Sequence, residues 1–463
     1  MPKRPNLLVI MTDHQRGDSV GMVQSGIEVC PNINRLAAEG ASFSRAYNTC
    51  PLCVPARTAL ATGRYPTANG VVYNDWNGAT ARDHVTIHQM LAEAGYEMAH
   101  VGVHHIRVRP DLLDRIDWSV CLHPGDHAEY LKSAGVDESG PVDPAFKVTI
   151  TETCAGKLEQ RRYSSVHTAP CPGAVEHFKD WWFCDRAVQF LRRPHDRPFA
   201  LFLYLWAPHP PLRVPEPYFS MFDPDRLELP ANVGVPAEGE PPAWRAGAAA
   251  RIAEGVRADH WPRVWAAHLG LVKLADDGIG RVLGVLEDVG EADETLVMFS
   301  SDHGDHLGQH GMYQKMEMYE QAIRIPLIFR GPGVAPRACE TPVSHLDVLP
   351  TLAERLDLPA PDGIDGVPLG DALARTAPPR RPVFCQYSGN PTVGDIRRTV
   401  IDGNWKLTCD DAGAADLYDL AADPLETVNL AVLPRHAERR ARLHKLLVDW
   451  AAAHGDWVTI PPP

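Results

Sequence analysis

Short apolar runs alternate with helical patterns over most of the chain. The runs predicted to be strands cover residues 6–11, 42–47, 97–103, 198–206, 295–300 and 325–329. Most of them are apolar throughout, which is typical of strands buried on both faces of a parallel sheet. The segments predicted to be helices cover residues 31–39, 86–94, 181–191, 260–289 and 346–356. This alternation predicts an α/β fold with a doubly wound, mostly parallel sheet flanked by helices.

The pattern changes after about residue 378. Residues 382–387, 397–401 and 405–409 resemble antiparallel strands, and an amphipathic helix is expected over residues 434–453. We therefore predict two domains: a larger α/β domain over residues 1–378 and a smaller α+β domain with a short antiparallel sheet over residues 379–463. Proline, glycine and polar residues interrupt the pattern between about 107 and 179, which predicts an irregular insertion.

Composition limits the possible partners and location. The 463 residues are 44% hydrophobic and 22% charged, as in an ordinary globular protein. A net charge of −14 argues against nucleic acid or an anionic membrane as a partner. The ten cysteines are scattered, which favours a reducing compartment, and we find no secretory signal or membrane-spanning run. The sequence predicts a cytoplasmic protein and carries no signal for its oligomeric state.

Polar side chains follow several of the predicted strands. Asp13 and His14 come after the first strand, and Asp302 and His303 follow the strand over residues 295–300. Ligands bind at the carboxyl ends of strands in open α/β sheets. Two carboxylates brought together there need a cation between them, so a divalent metal is predicted, and Cys53 could approach the same point. For each histidine alone, a hydrogen-bonded structural imidazole remains the simpler interpretation.

The segment from Cys53 to Arg57 places a nucleophilic side chain before a helix. Pro55 suits a first helical position, so Cys53 is expected at or near the N-cap, where free N–H groups attract anions. Arg57 would lie one turn further on the same side. Two other interpretations are an inert half-buried thiol and a redox pair formed by Cys50 and Cys53.

Together these residues resemble a known family. The pattern Cys53-x-Pro55-x-Arg57, with the residues that follow it up to Arg64, resembles the signature of the formylglycine-dependent sulfatases, members of the alkaline-phosphatase superfamily. Further similar motifs are residues 5–13, Ala207-Pro208-His209, Asp302-His303-Gly304 with Lys315, and residues 416–430. Because the similarity spans nearly the whole chain, it favours this family over the redox interpretation.

The resemblance implies a mechanism. A separate maturation enzyme would oxidise Cys53 to formylglycine, and one hydroxyl of its hydrate would attack the sulfur of a small anionic sulfate ester. The other hydroxyl would then lose its proton, and sulfate would leave as the aldehyde reforms. The implied catalytic residues are Cys53, Arg57, His105, His209 and Lys315. Asn74 and His104 are the implied substrate contacts, and the implied metal ligands are Asp13, His14, Cys53, Asp302 and His303.

The sequence departs from the family pattern at two positions. His14 stands where many members have a second aspartate, so its ligand role is left open, and manganese becomes an alternative to calcium, the first choice. Val103 stands where the family usually has lysine, and His104 could compensate. Some relatives that hydrolyse phosphonate monoesters and phosphodiesters also lack this lysine. The expected function is therefore sulfate ester hydrolysis, with a phosphonate monoester or phosphodiester hydrolase as the alternative and a non-catalytic binding protein as a third possibility.

Overall fold

A computed structural model describes residues 4–136, 143–374 and 376–463. Its centre is an eight-stranded sheet, here called the large sheet. From edge to edge, its strands are Arg337–Cys339, Ala41–Phe43, Leu327–Arg330, Thr295–Ser301, Asn6–Asp13, Phe199–Pro208, Glu97–Gly102 and Trp118–Leu122. Among these eight, only Leu327–Arg330 runs antiparallel to its neighbours. This arrangement confirms the predicted mostly parallel α/β fold.

The first strand, Asn6–Asp13, lies in the middle of the large sheet and is buried throughout. Its alternate side chains enter different cores, as expected from the period of two in a strand. Leu8 and Ile10 belong to the core that includes the helices Lys179–Leu191 and Trp261–Asp288. Leu7, Val9 and Met11 belong to the core that includes the helices Ile87–Glu93 and Val348–Arg355. Helices therefore cover both faces of the sheet.

The predicted helices are present with small changes in their bounds. Besides the four just named, they are Pro31–Glu39 and Ala437–Ala453. The remaining α-helices are Cys53–Thr62, Pro66–Asn69, Leu112–Arg115, Pro124–Ala134, Ala248–Ile252, Glu320–Ile323 and Gly370–Ala374. Within the described ranges, no helix combines the length and apolar composition that crossing a bilayer requires.

Two predicted strands are each divided between two sheets. The run over residues 42–47 separates into Ala41–Phe43 in the large sheet and Ala46–Tyr47 in a three-stranded sheet. The run over residues 325–329 separates in the same way into Arg324–Ile325 and Leu327–Arg330. Pro326 lies at the second division, where its missing N–H leaves a gap in the ladder. The prediction of one continuous strand in each place is wrong.

The predicted irregular insertion also needs correction, because much of residues 107–179 is regular. Trp118–Leu122 extends the large sheet, and Lys147–Cys154 pairs with Lys157–Ser164 as an antiparallel hairpin. Thr168–Cys171 pairs with Leu212–Pro215. Lys147–Cys154 has one exposed face, and Lys157–Ser164 is exposed along most of its length. Polar residues are therefore frequent in both strands, and neither shows the continuous apolar run of a fully buried strand.

The C-terminal part contains the predicted antiparallel sheet, here called the small sheet. Its strands in order are Val383–Tyr387, Arg397–Asp402, Trp405–Cys409 and Ala415–Asp419. Val400, Leu407 and Leu417 of this sheet share a core with Leu443 and Leu447 of the last helix. The division into two domains near residue 378 stays a prediction.

Gly102 should be sensitive to substitution because it has a φ of 116° at the end of its strand, and an added Cβ would lie 1.9 Å from the carbonyl oxygen of Tyr204. We expect Gly102→Ala to lower the free energy of unfolding by about 3 kcal/mol, through strain and overpacking. Gly95→Ala is the control, because Gly95 has a φ of 85° but open space around it. It should cost about 1 kcal/mol. Equal losses in urea unfolding would contradict the role of the Tyr204 contact.

Candidate active site

Neighbouring parallel strands of the large sheet have their carboxyl ends side by side. Thr12 lies opposite Ser301 in the parallel register, so the next residues, Asp13 and Asp302, lie together. On the other side of the first strand, Asp13 lies opposite Pro208, which His209 follows. Both carboxylates are fully buried. The fold thus brings together residues that are far apart in the sequence.

Cys53 begins the helix Cys53–Thr62, here called the Cys53 helix. The N-cap is Leu52, so Cys53 lies next to the N-cap as predicted, but the helix begins two residues before Pro55. The helix begins earlier because the side-chain oxygen of Asn74 accepts a hydrogen bond from the backbone N–H of Val54 at 3.1 Å. A side chain from another segment thereby satisfies a free N–H of the first turn. Asn74 has this structural role, and its contact with substrate stays a prediction.

Arg57 joins the two buried carboxylates. Its Nε donates to Asp302 Oδ2 at 2.7 Å, its Nη2 donates to Asp13 Oδ2 at 3.0 Å, and its Nη1 donates to the Val103 carbonyl at 2.5 Å. Burial and the charge of Asp302 raise the pKa of Asp13 to about 7. Burial acts in the same direction on Asp302, but Arg57 outweighs it and holds the pKa of Asp302 below its usual value. Arg57 therefore favours the charged form of Asp302, and Asp13 is the carboxylate of the pair that binds a proton more readily.

Cys53 faces these carboxylates and a buried lysine. Its Sγ lies 3.7 Å from Asp13 Oδ1, 3.3 Å from His303 Nε2 and 2.7 Å from Lys315 Nζ. Burial and the charge of Asp13 raise the pKa of the Cys53 thiol. Neither Cys53 nor Cys50 forms a disulfide, so the two thiols are not joined as a redox pair. The groups that contact Cys53 are therefore those expected around an anionic reaction centre.

Three histidines turn the same ring nitrogen towards the pocket. His14 Nδ1 lies 2.7 Å from Asp305 Oδ2, His303 Nδ1 lies 3.0 Å from the Gly304 carbonyl, and His209 Nδ1 bonds to the Pro210 carbonyl. The carbonyl partners of His303 and His209 only accept hydrogen bonds, and Lys315 Nζ donates to Nε2 of His14. Each Nδ1 therefore carries a proton, and each Nε2 keeps a lone pair. Burial lowers the pKa of all three, that of His303 to about 3. Neutral imidazoles of this kind can bind a metal or accept a proton.

One group of side chains fits a divalent metal. Single ligand atoms of Asp13, Cys53, Asp302 and His303 all lie within 4.8 Å of one another. Two carboxylates and an imidazole lone pair suit a hard or borderline cation. His14 belongs to a second possible group, with Asp13 and His209. Its Nε2, however, lies 2.9 Å from Lys315 Nζ. Lys315 Nζ lies 3.1 Å from His303 Nε2 as well, so this contact does not distinguish the two histidines, and the ligand role of His14 stays a prediction.

The remaining predicted residues lie at the rim. The His105 ring lies between two tryptophans, with ring centroids 5.0 Å from Trp76 and 5.9 Å from Trp206. Trp206 in turn packs 4.1 Å from His209. His104 accepts a hydrogen bond from the backbone N–H of Ile106. Among the described residues, no hydrogen bond or ring contact joins His104 to Cys53 or Lys315, so the structure does not bring it into the cluster.

Sequence reasoning missed two groups that shape the pocket. Asp305 binds His14 and also accepts from the backbone N–H groups of Leu307 and Gln314, which fixes the loop before Lys315. Its position in the acidic and histidine-rich run 301–306 was a usable signal. The sequence marks Trp206 only as the end of a predicted buried strand, and no local pattern indicates that it packs against His209.

Comparisons with known proteins identify the family of the chain. The family profile described as Sulfatase matches residues 5–358, and a profile described as N-sulphoglucosamine sulphohydrolase, C-terminal, matches residues 308–453. A choline-sulfatase of Rhizobium meliloti (strain 1021) is 29% identical over 473 residues, covering 98% of this chain and 87% of the relative. An uncharacterised sulfatase of Escherichia coli (strain K12) is 30% identical over 464 residues, covering 97% of this chain and 87% of the relative.

A solved structure has the same fold over nearly its full length. The phosphonate monoester hydrolase of Agrobacterium radiobacter superposes with a TM-score of 0.79 at 24% identity, covering 97% of this chain and 96% of that chain. The profile match extends over most of the chain and includes Cys53, both strand-end aspartates and Lys315. The chain therefore belongs to the sulfatase family of sulfuric ester hydrolases, within the alkaline-phosphatase superfamily.

Proposed function

We propose that the protein hydrolyses a small organic sulfate ester through a formylglycine derived from Cys53. The observation that supports this most strongly is the position of Cys53 itself. Its Sγ is 3.7 Å from Asp13 Oδ1 and 2.7 Å from Lys315 Nζ, at the point where the strand ends converge. A side chain there can be reached both by a metal held on the carboxylates and by a proton donor.

In the proposed reaction, one hydroxyl of the formylglycine hydrate attacks the sulfur and the ester oxygen leaves as an alcohol or phenol. Lys315, whose charge is stabilised by Cys53 and the two carboxylates against the cost of burial, holds the sulfate oxygens and donates a proton to the leaving oxygen. His209 binds the same group through the Nε2 atom that its bond to Pro210 leaves free. Arg57 orients the hydrate from the next turn of the Cys53 helix.

The second half of the proposed reaction releases sulfate. His105 accepts the proton of the remaining hydroxyl, the bond between carbon and the sulfate oxygen breaks, and the aldehyde reforms. Nδ1 of His105 is buried without a hydrogen-bond partner, so the ring has unused hydrogen-bonding capacity at the rim. A water molecule then adds to the aldehyde and restores the hydrate.

Asp13, Asp302 and His303 would hold the metal, with calcium as the first choice and manganese as the alternative. When bound, the metal supplies positive charge that lowers the pKa of the attacking hydroxyl and neutralises the sulfate. The proposal also requires a separate formylglycine-generating maturation enzyme, and it keeps the cytoplasm as the proposed location.

A second candidate function is hydrolysis of a phosphonate monoester or phosphodiester on the same scaffold. Val103 supports it, because this position lacks the lysine that sulfatases usually carry, and Val103 is buried. Two phosphonate monoester hydrolase structures, those of Agrobacterium radiobacter and Silicibacter pomeroyi, share the fold with TM-scores of 0.79 and 0.78. The two candidates differ in substrate and share the pocket.

The Cys53 modification can be tested by mass spectrometry of protein co-expressed with a maturation enzyme. The tryptic peptide over residues 46–57 contains both Cys50 and Cys53, so fragment ions must locate the change. We expect an alkylated thiol at Cys50 and the aldehyde or its hydrate at position 53. Cys53→Ala should abolish ester hydrolysis, and Cys50→Ala should retain it. Active enzyme with an unmodified Cys53 thiol would overturn the proposal.

Metal binding can be tested by thermal unfolding of metal-free protein titrated with Ca²⁺ or Mn²⁺. At a concentration of about 100 Kd, binding should stabilise the fold by about 2.7 kcal/mol. Asp302→Asn should remove this effect and the activity together, because it removes a charged ligand. Asp347→Asn is the matched control, since Asp347 is also buried and bonded to an arginine but lies outside the pocket. Full activity in Asp302→Asn without metal affinity would contradict the proposed role.

Substrate class can be tested by parallel assays on an aryl sulfate and an aryl phosphonate monoester with the same leaving group. We expect kcat/KM to be at least about tenfold higher for the sulfate, which corresponds to about 1.4 kcal/mol of transition-state discrimination. The Cys53→Ala variant measures background hydrolysis. A preference for the phosphonate would replace the first candidate function with the second.

A further inference from the structure

The segment that carries Lys315 has no regular structure to hold it. Residues 314–319, here called the Lys315 loop, contain neither helix nor strand. On either side of Lys315, Gln314 and Met316 have φ values of 65° and 81°. Such values cost a side-chain-bearing residue about 1–2 kcal/mol each. Contacts from outside the loop must therefore fix its conformation.

The small sheet supplies two of these contacts. Arg397 forms a bidentate pair with Glu317, with Nη2 3.0 Å from Oε1 and Nε 3.2 Å from Oε2. The next residue of the loop, Met318, accepts a hydrogen bond at its carbonyl from Lys406 Nζ at 2.6 Å. Lys406 is also paired with the buried Glu426. Both bonds lie within three residues of Lys315, where a small displacement of the backbone moves its side chain.

The strand periodicity explains why these two residues act together. Ile401 lies opposite Lys406 in the register, so Arg397, four residues before Ile401, shares its face of the sheet. Arg398, Val400 and Leu407 alternate onto the other face, which packs towards the last helix. One face therefore packs Val400 and Leu407 against the last helix, and the other, which also carries the apolar Ile401, presents buried cations to the loop.

We infer that Arg397 and Lys406 are positioning residues, which hold the Lys315 loop so that Lys315 Nζ reaches the reacting group. A buried ion pair is a weak source of stability compared with well-packed apolar residues. Its bidentate geometry, however, fixes the direction of Glu317 as a hydrophobic contact would not. The C-terminal part of the chain thus contributes to the reaction without touching the substrate. The kinetic test of this inference rests on the proposed function, because it needs an ester that the enzyme hydrolyses.

Arg398 provides a matched control on the adjacent position. Arg398 also pairs with a carboxylate, its Nε lying 2.5 Å and its Nη2 2.9 Å from the two oxygens of Asp456, and both side chains are fully buried. It lies on the face away from the loop. Arg397→Gln and Arg398→Gln should both lower the melting temperature. The two variants should differ in kcat only if Arg397 positions the Lys315 loop.

The kinetic test measures kcat and KM for whichever ester the wild-type enzyme hydrolyses best, at a temperature where all variants are folded. We expect Arg397→Gln to lower kcat by about 10- to 100-fold, since misplacement by about 1 Å costs that much, and Arg398→Gln to stay within about twofold of wild type. Lys315→Ala should cost much less in the Arg397→Gln background than in wild type. If Arg397→Gln does not fold, Arg397→Lys replaces it, because lysine keeps the charge but not the bidentate geometry. Arg397→Lys should also lower kcat.

Hydrogen exchange provides a readout that needs no substrate. The peptide over residues 314–320 should exchange faster in Arg397→Gln than in Arg398→Gln. If the wild type hydrolyses no ester, the proposed function fails and exchange alone decides the positioning role. Equal kcat values for the two variants in an active enzyme, equal exchange of the peptide, or an undiminished effect of Lys315→Ala would each overturn the inference.

Discussion

The contact of Arg57 with two buried carboxylates is the interaction on which the site depends. Parallel strands end together, so Asp13 and Asp302 are neighbours whether or not their charges repel. The Arg57 fork satisfies one oxygen of each, and it can do so only if the Cys53 helix packs against both strand ends. Because Cys53 precedes Arg57 by one turn, the same packing places Cys53. The contact of Arg57 thus sets both the charge balance of the two carboxylates and the position of Cys53.

The charges of the pocket explain how a strongly acidic protein can bind an anion. Formally, Arg57 and Lys315 balance two of the three carboxylates of Asp13, Asp302 and Asp305, so a divalent metal would leave the pocket with one positive charge. The chain as a whole carries −14, so the attraction is local. Burial strengthens these interactions by excluding water. A sulfate ester would therefore meet a positive environment only after it enters the pocket, which makes shape at the rim, near Trp76 and Trp206, important for selection.

The sequence could predict the large sheet and the meeting of Asp13 with Asp302, because both follow from the order and the ends of the strands. A buried parallel strand is apolar throughout, so the polar residues after it, such as Asp13 and Asp302, stand out, and their meeting follows from topology alone. The start of the Cys53 helix could not be predicted, because it depends on Asn74, 20 residues away in the chain. The hairpin over residues 147–164 was missed because its exposed face carries polar residues. The start of this helix depends on a long-range contact and the composition of the hairpin on solvent exposure, and neither can be inferred from a local sequence pattern.

The two sides of the pocket are supported by different means. Asp13, Asp302 and His209 lie on or directly after strands whose ladders fix them, and Cys53 lies on a helix that packs against those strand ends. Lys315 instead projects from a loop with unfavourable backbone angles, and side chains of the small sheet hold it. The burial of Arg397 and Lys406 on that sheet is hard to explain by stability, since apolar residues would pack there at lower cost. It is explained if the loop must present one lysine in one direction, because directional bonds to Glu317 and Met318 fix orientation as well as distance.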